Sequence, residues 1–155
     1  VSDIRPQIAK PHSPDNVVPI DELLGTKIDT VFIGSCTNSR LEDLRSAAEV
    51  LRGQKLAVRL IIAPASKAVF DAALADGTIQ TLTDAGAVFI TSGCGPCVGT
   101  HLGVPGDGET VISSTNRNFQ GRMGNPKSNI YLASPAVVAA AAVAGEIVDP
   151  SMLGG

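Results

Sequence analysis

The chain has 155 residues, of which 44% are hydrophobic, 17% charged and 3% aromatic, with a net charge of −3 and no tryptophan. That balance excludes the basic footprint of a nucleic-acid-binding domain and the polar composition of a disordered chain. It suits one domain whose core rests on Val, Ile, Leu and Ala, the palette of a parallel sheet covered by helices.

The chain starts at Val-Ser-Asp, which reads as a processed or excised piece of something longer. Residues 1–29 are expected to be a linker or surface arm, because Pro6, Pro11, Pro14 and Pro19 forbid a long helix or central strand. A short helical turn is expected at Asp21 to Leu24. Residues 30–150 are read as one α/β domain and 151–155 as a tail. Thr30 to Ile33 is a short apolar run ending at Gly34, the form of a buried strand.

Ser39 with Glu42 reads as a capping box opening a helix through Leu41, Leu44, Ala48 and Leu51, stopped by Gly53. The unit then repeats. Val58 to Ala63 reads as a strand, and Ser66 caps a helix through Val69, Phe70 and Leu74. A second short helix from about Ile79 to Asp84 ends at Gly86, and Ala87 to Thr91 reads as the third strand. Gly and Pro dominate from Gly93 to Gly108, so that stretch reads as loop.

Thr110 to Ser113 and Ile130 to Leu132 read as further strands. Ser134-Pro135 opens a last helix that ends at Gly145. Its apolar run, Ala136 to Ala144, is too short to span a bilayer, and no basic region leads into an apolar leader. Strands alternating with helices predict a three-layer α/β/α sandwich on a mainly parallel sheet, with right-handed crossovers placing helices on both faces.

The polar motifs fall just past predicted strands. Cys36 follows the first, Cys94 and Cys97 the third, and Asn116-Arg117 the fourth. Parallel strands would bring all of them to one carboxyl edge, where open α/β sheets bind ligands. Three cysteines are an odd number and a poor disulfide framework, so the chain reads as cytosolic with reduced thiols.

Three converging thiols suit a soft metal centre. A four-iron cluster held by three thiolates keeps one iron open to act as a Lewis acid. Zinc held by the three cysteines and His101 is the rival, and spacing alone does not separate the two. Three small buried residues would be the bland reading. Cys94-Gly95-Pro96-Cys97 also occurs in thioredoxin-like redox sites, but the glycine-rich continuation cannot form the helix such a site needs. Arg117 and Arg122 flank Gly121 in a polar loop, where two guanidiniums could grip carboxylates with paired hydrogen bonds.

Taken together, Gly34-Ser35-Cys36-Thr37-Asn38-Ser39, Gly93-Cys94-Gly95-Pro96-Cys97 and Asn116-Arg117-Asn118-Phe119-Gln120-Gly121-Arg122 resemble the aconitase superfamily. Pro11-His12-Ser13-Pro14 and Arg122 to Ser128 look like its isopropylmalate dehydratase and homoaconitase large-subunit branch, and the likeness runs from about Arg5 to Gly145. The resemblance implies that Cys36, Cys94 and Cys97 hold a 4Fe–4S cluster, with Asn116, Arg117 and Arg122 around cluster and substrate. It implies stereospecific dehydration and rehydration of a hydroxy di- or tricarboxylic acid, isopropylmalate in leucine biosynthesis or a homoaconitase or methylmalate-type substrate.

Members of that branch carry two further large-subunit domains before this region and work with a swivelling domain, often a separate small subunit, that contributes the catalytic base. The isolated chain is therefore expected to bind a cluster poorly and to be inactive. His12 reads as a linker residue and His101 as a packing or hydrogen-bonding residue. A zinc-stabilised structural α/β domain remains the alternative without chemistry.

Overall fold

The computed structural model describes residues 4–153, so the ends of the expected arm (1–3) and tail (154–155) lie outside the described residues. Seven strands form one sheet: β1 (Gln7–Ala9), β2 (Val17–Pro19), β3 (Thr30–Ile33), β4 (Arg59–Ile62), β5 (Val88–Phe89), β6 (Thr110–Ser113) and β7 (Asn129–Leu132). Four α-helices accompany them: α1 (Leu41–Leu51), α2 (Lys67–Ala75), α3 (Thr78–Ala85) and α4 (Pro135–Ala144). The spatial order is β2-β1-β7-β6-β3-β4-β5, and the five strands from β7 to β5 are parallel. The α/β class and the mainly parallel sheet agree with the expectation.

The segment read as an irregular arm differs. Its residues 7–19 form an antiparallel hairpin, β1–β2, which joins the sheet through Ala9 beside Leu132 of β7. The prolines are compatible with this because they occupy an outer position: Pro19 ends the edge strand, where a missing N–H costs no ladder bond. The expected helical turn is present as a 3₁₀ turn at Ile20–Glu22.

Successive side chains of the central strands pack into two different cores, one on each face of the sheet, and the two faces are covered differently. Val31, Ile33, Leu60, Ile62 and Ile112 face a core completed by Leu44 and Leu51 of α1, Ala73 of α2, Leu82 of α3 and Val138 of α4. All four α-helices therefore lie on this face. Phe32, Ile61, Val111 and Ile130 point the other way, beneath Cys97 and Met123. The second layer is thus made of loop and 3₁₀ segments where crossover helices were expected. The reason is local: the stretches that cross this face carry Gly93, Gly95, Gly99, Gly103, Gly121 and Gly124, all at positive φ, and positive φ is incompatible with a right-handed helix.

Helix boundaries follow their caps. Ser66 Oγ accepts from Val69 N at 3.2 Å, and Gly86 and Gly145 take the left-handed conformation past α3 and α4. The capping contact of α1 sits one residue later than expected and is one-sided, since an arginine side chain cannot accept. Arg40 N donates to the Asp43 carboxylate at 3.0 Å, whereas Ser39 is fully buried and its hydroxyl has no partner among the described residues. Ser39 instead joins the loop to α2 through its carbonyl, which accepts from Ala65 N.

Asp76, at the junction of α2 and α3, accepts from Thr78 N at 3.0 Å and pairs with Arg45 of α1 at 2.8 Å. The Thr78 hydroxyl and N–H, with the Arg45 guanidinium, lower its pKa to about 2. The ordinary unfolded value is about 3.9. A depressed folded-state pKa contributes stability that is complete above the unfolded value and lost as pH falls through the folded one. Urea midpoints should therefore decline between about pH 4 and pH 2, with a shallower decline in Asp76→Asn. Parallel pH profiles for the two chains would show that Asp76 has no such role.

Candidate metal centre

The chain passes from β3 to β4 and β5 on one side, then returns to β6 and β7 on the other. The carboxyl ends of β3 and β6 thus flank a topological switch point, the crevice where open α/β sheets take ligands. Cys36 leaves β3 there and Asn116-Arg117 leave β6.

The Cys36 turn is fixed by unusual backbone. A Cβ on Gly34 would lie 2.2 Å from Phe32 Cζ, so only glycine lets the chain pass over that ring. Ser35 has φ of +90°, a conformation rarely adopted by a side-chain-bearing residue. Its hydroxyl accepts from Thr37 N and Asn38 N, both at 3.3 Å. From the neighbouring strand, buried Ser114 accepts from Gly34 N at 3.1 Å and donates to Asn38 O at 3.0 Å. Cys36 is left exposed at the tip.

Beyond β5, Gly95–Val98 forms a single 3₁₀ turn closed by Cys97 N on Cys94 O at 2.8 Å. Gly99, at φ of +73°, ends it. One turn of 3₁₀ helix lacks the long dipole that a thioredoxin-type cysteine uses, in keeping with the sequence reading. Cys94 is exposed and Cys97 buried in the second core. His101 is exposed on the following loop, its ring lying over Gly95. His12 is exposed near the hairpin turn.

The arginine loop meets this turn directly. Arg122 Nε donates to Cys97 O at 2.8 Å, and its Nη2 lies 3.7 Å from Cys97 Sγ. Its guanidinium also stacks on Phe119, 5.5 Å from the ring centroid. Arg117 and Asn116 are exposed, and Arg117 makes no hydrogen bond or ion pair among the described residues. One cavity of about 300 Å³ is lined by Ser35, Cys36, Pro64, Ala65, Gly93, Cys94, Cys97, Asn116, Arg117 and Arg122. It joins the three cysteines and both arginines, and no carboxylate of the described residues lines it.

Among the described residues no three His, Cys, Asp or Glu side chains are grouped closely enough to hold one metal ion. Zinc requires its sulfurs to meet on a single centre, at about 2.3 Å. A four-iron cluster takes its cysteines on separate irons, so the thiols of one cavity can serve it from wider positions. The donor set therefore fits a cluster.

Sequence reasoning missed Ser114, Gly99 and Gly124. A Cβ on Gly99 would sit 2.3 Å from Gly124 N, and one on Gly124 would sit 3.1 Å from Gly99 Cα. The cysteine turn and the arginine loop thus touch backbone to backbone. Glycines had marked both stretches as loop, but a contact between residues 25 apart has no local signature.

Fold and cavity together define an α/β domain with a thiol-lined, cationic site at the switch point of a parallel sheet. Residues 21–145 match the model of the aconitase family (aconitate hydratase), and the chain belongs to that family. It is 54% identical over 150 residues to a 3-isopropylmalate dehydratase large subunit 2 of Pyrococcus furiosus, covering 97% of this chain and 40% of that protein. A 3-isopropylmalate dehydratase large subunit 1 of Methanopyrus kandleri is 56% identical over 152 residues, covering 97% and 36%. A probable methanogen homoaconitase large subunit of Methanosarcina mazei is 57% identical over 148 residues, covering 96% and 38%. The chain spans about two fifths of the length of these relatives.

The glycine contact is directly testable. Gly99→Ala should destabilise the chain by about 2–4 kcal/mol, combining left-handed strain with a backbone clash. Gly53→Ala, at the same φ but with open space around it, should cost only about 1 kcal/mol. Urea denaturation compares them, and equal losses would show that the loop contact contributes nothing.

Proposed function

We propose that this chain is the cluster-bearing part of a cytoplasmic hydro-lyase that interconverts 2-isopropylmalate and 3-isopropylmalate by dehydration and rehydration, a step of leucine biosynthesis. The observation that carries this reading is that Cys36, Cys94, Cys97, Asn116, Arg117 and Arg122 line one cavity, with no carboxylate among its described lining residues. Family membership and the names of the relatives support it.

Cys36, Cys94 and Cys97 would hold a 4Fe–4S cluster. When bound, a cluster with three thiolate ligands supplies an open iron as a Lewis acid toward a hydroxyl and its neighbouring carboxylate. Arg117, exposed and uncommitted, grips a substrate carboxylate. Arg122 keeps one edge on the Cys97 carbonyl and sulfur and turns positive charge toward the same space. Two fixed cations there neutralise carboxylates beside the charge that develops on dehydration. Asn116 orients the substrate's polar groups with its amide. The named lining residues include no histidine or carboxylate to move a proton, so the base comes from a partner: the remaining large-subunit domains or a small-subunit swivelling domain.

One relative is named a probable homoaconitase large subunit at comparable identity. A longer hydroxy tricarboxylic acid is accordingly the second substrate reading, with the same residues gripping the shared hydroxy-acid part. A structural zinc site is the reading without chemistry.

Anaerobic reconstitution with iron and sulfide should give broad visible absorption, weak in this chain alone and abolished in Cys94→Ser. Stoichiometric zinc with no visible band would favour the structural site. No dehydration of isopropylmalate is expected until the missing domains are supplied. In the complete enzyme, Arg117→Lys should lower kcat/KM about 100-fold, roughly 3 kcal/mol, because Lys cannot form the paired contact. Unchanged kinetics would remove Arg117 from the substrate site.

A further inference from the structure

Asn118 lies between the two arginines in sequence, yet it points away from the cavity. It is fully buried, and its Nδ2 donates to Lys10 O at 2.8 Å and to Ile130 O at 2.9 Å. Both amide hydrogens are thus used on carbonyls of two different elements, the β1–β2 hairpin and strand β7. Its Oδ1 is buried with no partner among the described residues. Exchanging the amide's nitrogen and oxygen would set an acceptor against two carbonyls, so the hydrogen-bond pattern fixes the orientation. A side chain that buries an unpaired oxygen is held in place for its two donors.

The contacts continue toward the cavity. Phe119, next in the chain, accepts Arg122 N at 2.9 Å and offers its ring to the Arg122 guanidinium. Arg122 then reaches Cys97 through its carbonyl and sulfur. Asn118 is the buried end of this series, and Arg117 is its immediate neighbour on the other side.

We propose that Asn118 is the positioning residue of the arginine loop: its two hydrogen bonds, to the hairpin and to β7, fix Arg117 and Arg122 beside the cysteines. The functional importance of that placement rests on the proposed ligand-gripping role of the arginines. The clamp itself is a property of this chain and can be measured without iron.

Asn118→Asp keeps the shape and removes both donors. Corrected for intrinsic exchange rates, amide protection at Arg122 and Gly124 should fall at least tenfold at pH 8, and Cys97 alkylation by iodoacetamide should quicken by a similar factor. Amides of β3 and β4 should stay within twofold of the parent chain. A carboxylate buried against two carbonyls has a raised pKa, and once protonated it regains one donor. Protection at Arg122 should therefore recover severalfold between pH 8 and pH 5 in this variant and not in the parent, which a packing defect would not produce.

Protection at Arg122 and Gly124 unchanged within twofold, or falling in step with β4, would overturn the proposal. If Asn118→Asp does not fold, the same amides are read in Asn118→Ser, which keeps one donor: a threefold or greater local loss supports the clamp, and none overturns it. Failure of the parent chain to take up a cluster would bear on the proposed function alone.

Discussion

The structure depends on how the backbone is satisfied where β3 and β6 end. Past Ile33 and Ser113 the two neighbouring strands lose their ladder, and their polar groups must find other partners in a buried place. Ser114, 2% exposed, supplies them: one hydroxyl serves Gly34 N and Asn38 O. The same bonds bend the Cys36 turn over the sheet edge. Backbone satisfaction and thiol placement are therefore one requirement, met by a residue that itself does no chemistry.

A second consequence follows from the asymmetry of the sheet. Helices cover one face because Ala-rich α4 and the apolar stripe of α1 pack closely there. The opposite face is crossed by two long loops, which need their own contacts to stay down. They find them in the Gly99–Gly124 approach, in Arg122 on the Cys97 carbonyl, and in Cys97 and Met123 buried over Phe32 and Val111. Cys97 therefore belongs to the core as well as to the cavity, whereas Cys36 and Cys94 are exposed. A layer made of loops can present functional groups in ways a helical layer, with its fixed spacing, cannot.

Much of this was legible in the chain. The Val- and Ile-rich runs marked strands β3, β4 and β6, and Ser66, Gly86 and Gly145 marked helix ends through conformations those residue types favour. The positions of Cys36, Cys94 and Asn116 just past strands predicted their convergence. Two things were not legible. The hairpin in residues 7–19 is stabilised by pairing with β7, a tertiary effect that four prolines obscured. The capping box at Ser39 looked sound locally, but that serine is consumed by burial and Asp43 caps the helix. The contacts that join the cysteine and arginine loops pair residues 25 or more apart, so no local pattern announces them.

The site and the acid stability of the fold are also physically separate. Among the described residues three carboxylates are held below their usual range: Asp76 by Thr78 and Arg45, Asp107 by Lys127 and Asn125, and Asp149 by Ser151 and Arg5. Each secures a turn or helix end, and none lines the cysteine cavity. Among the described residues, the polar side chains of the cavity wall are instead thiols, an amide, a hydroxyl and guanidiniums. Protonating the carboxylates that hold the turns leaves the Arg117 and Arg122 guanidiniums of the cavity wall charged. The contacts that acid breaks and the arginines of the cavity therefore belong to different parts of the domain.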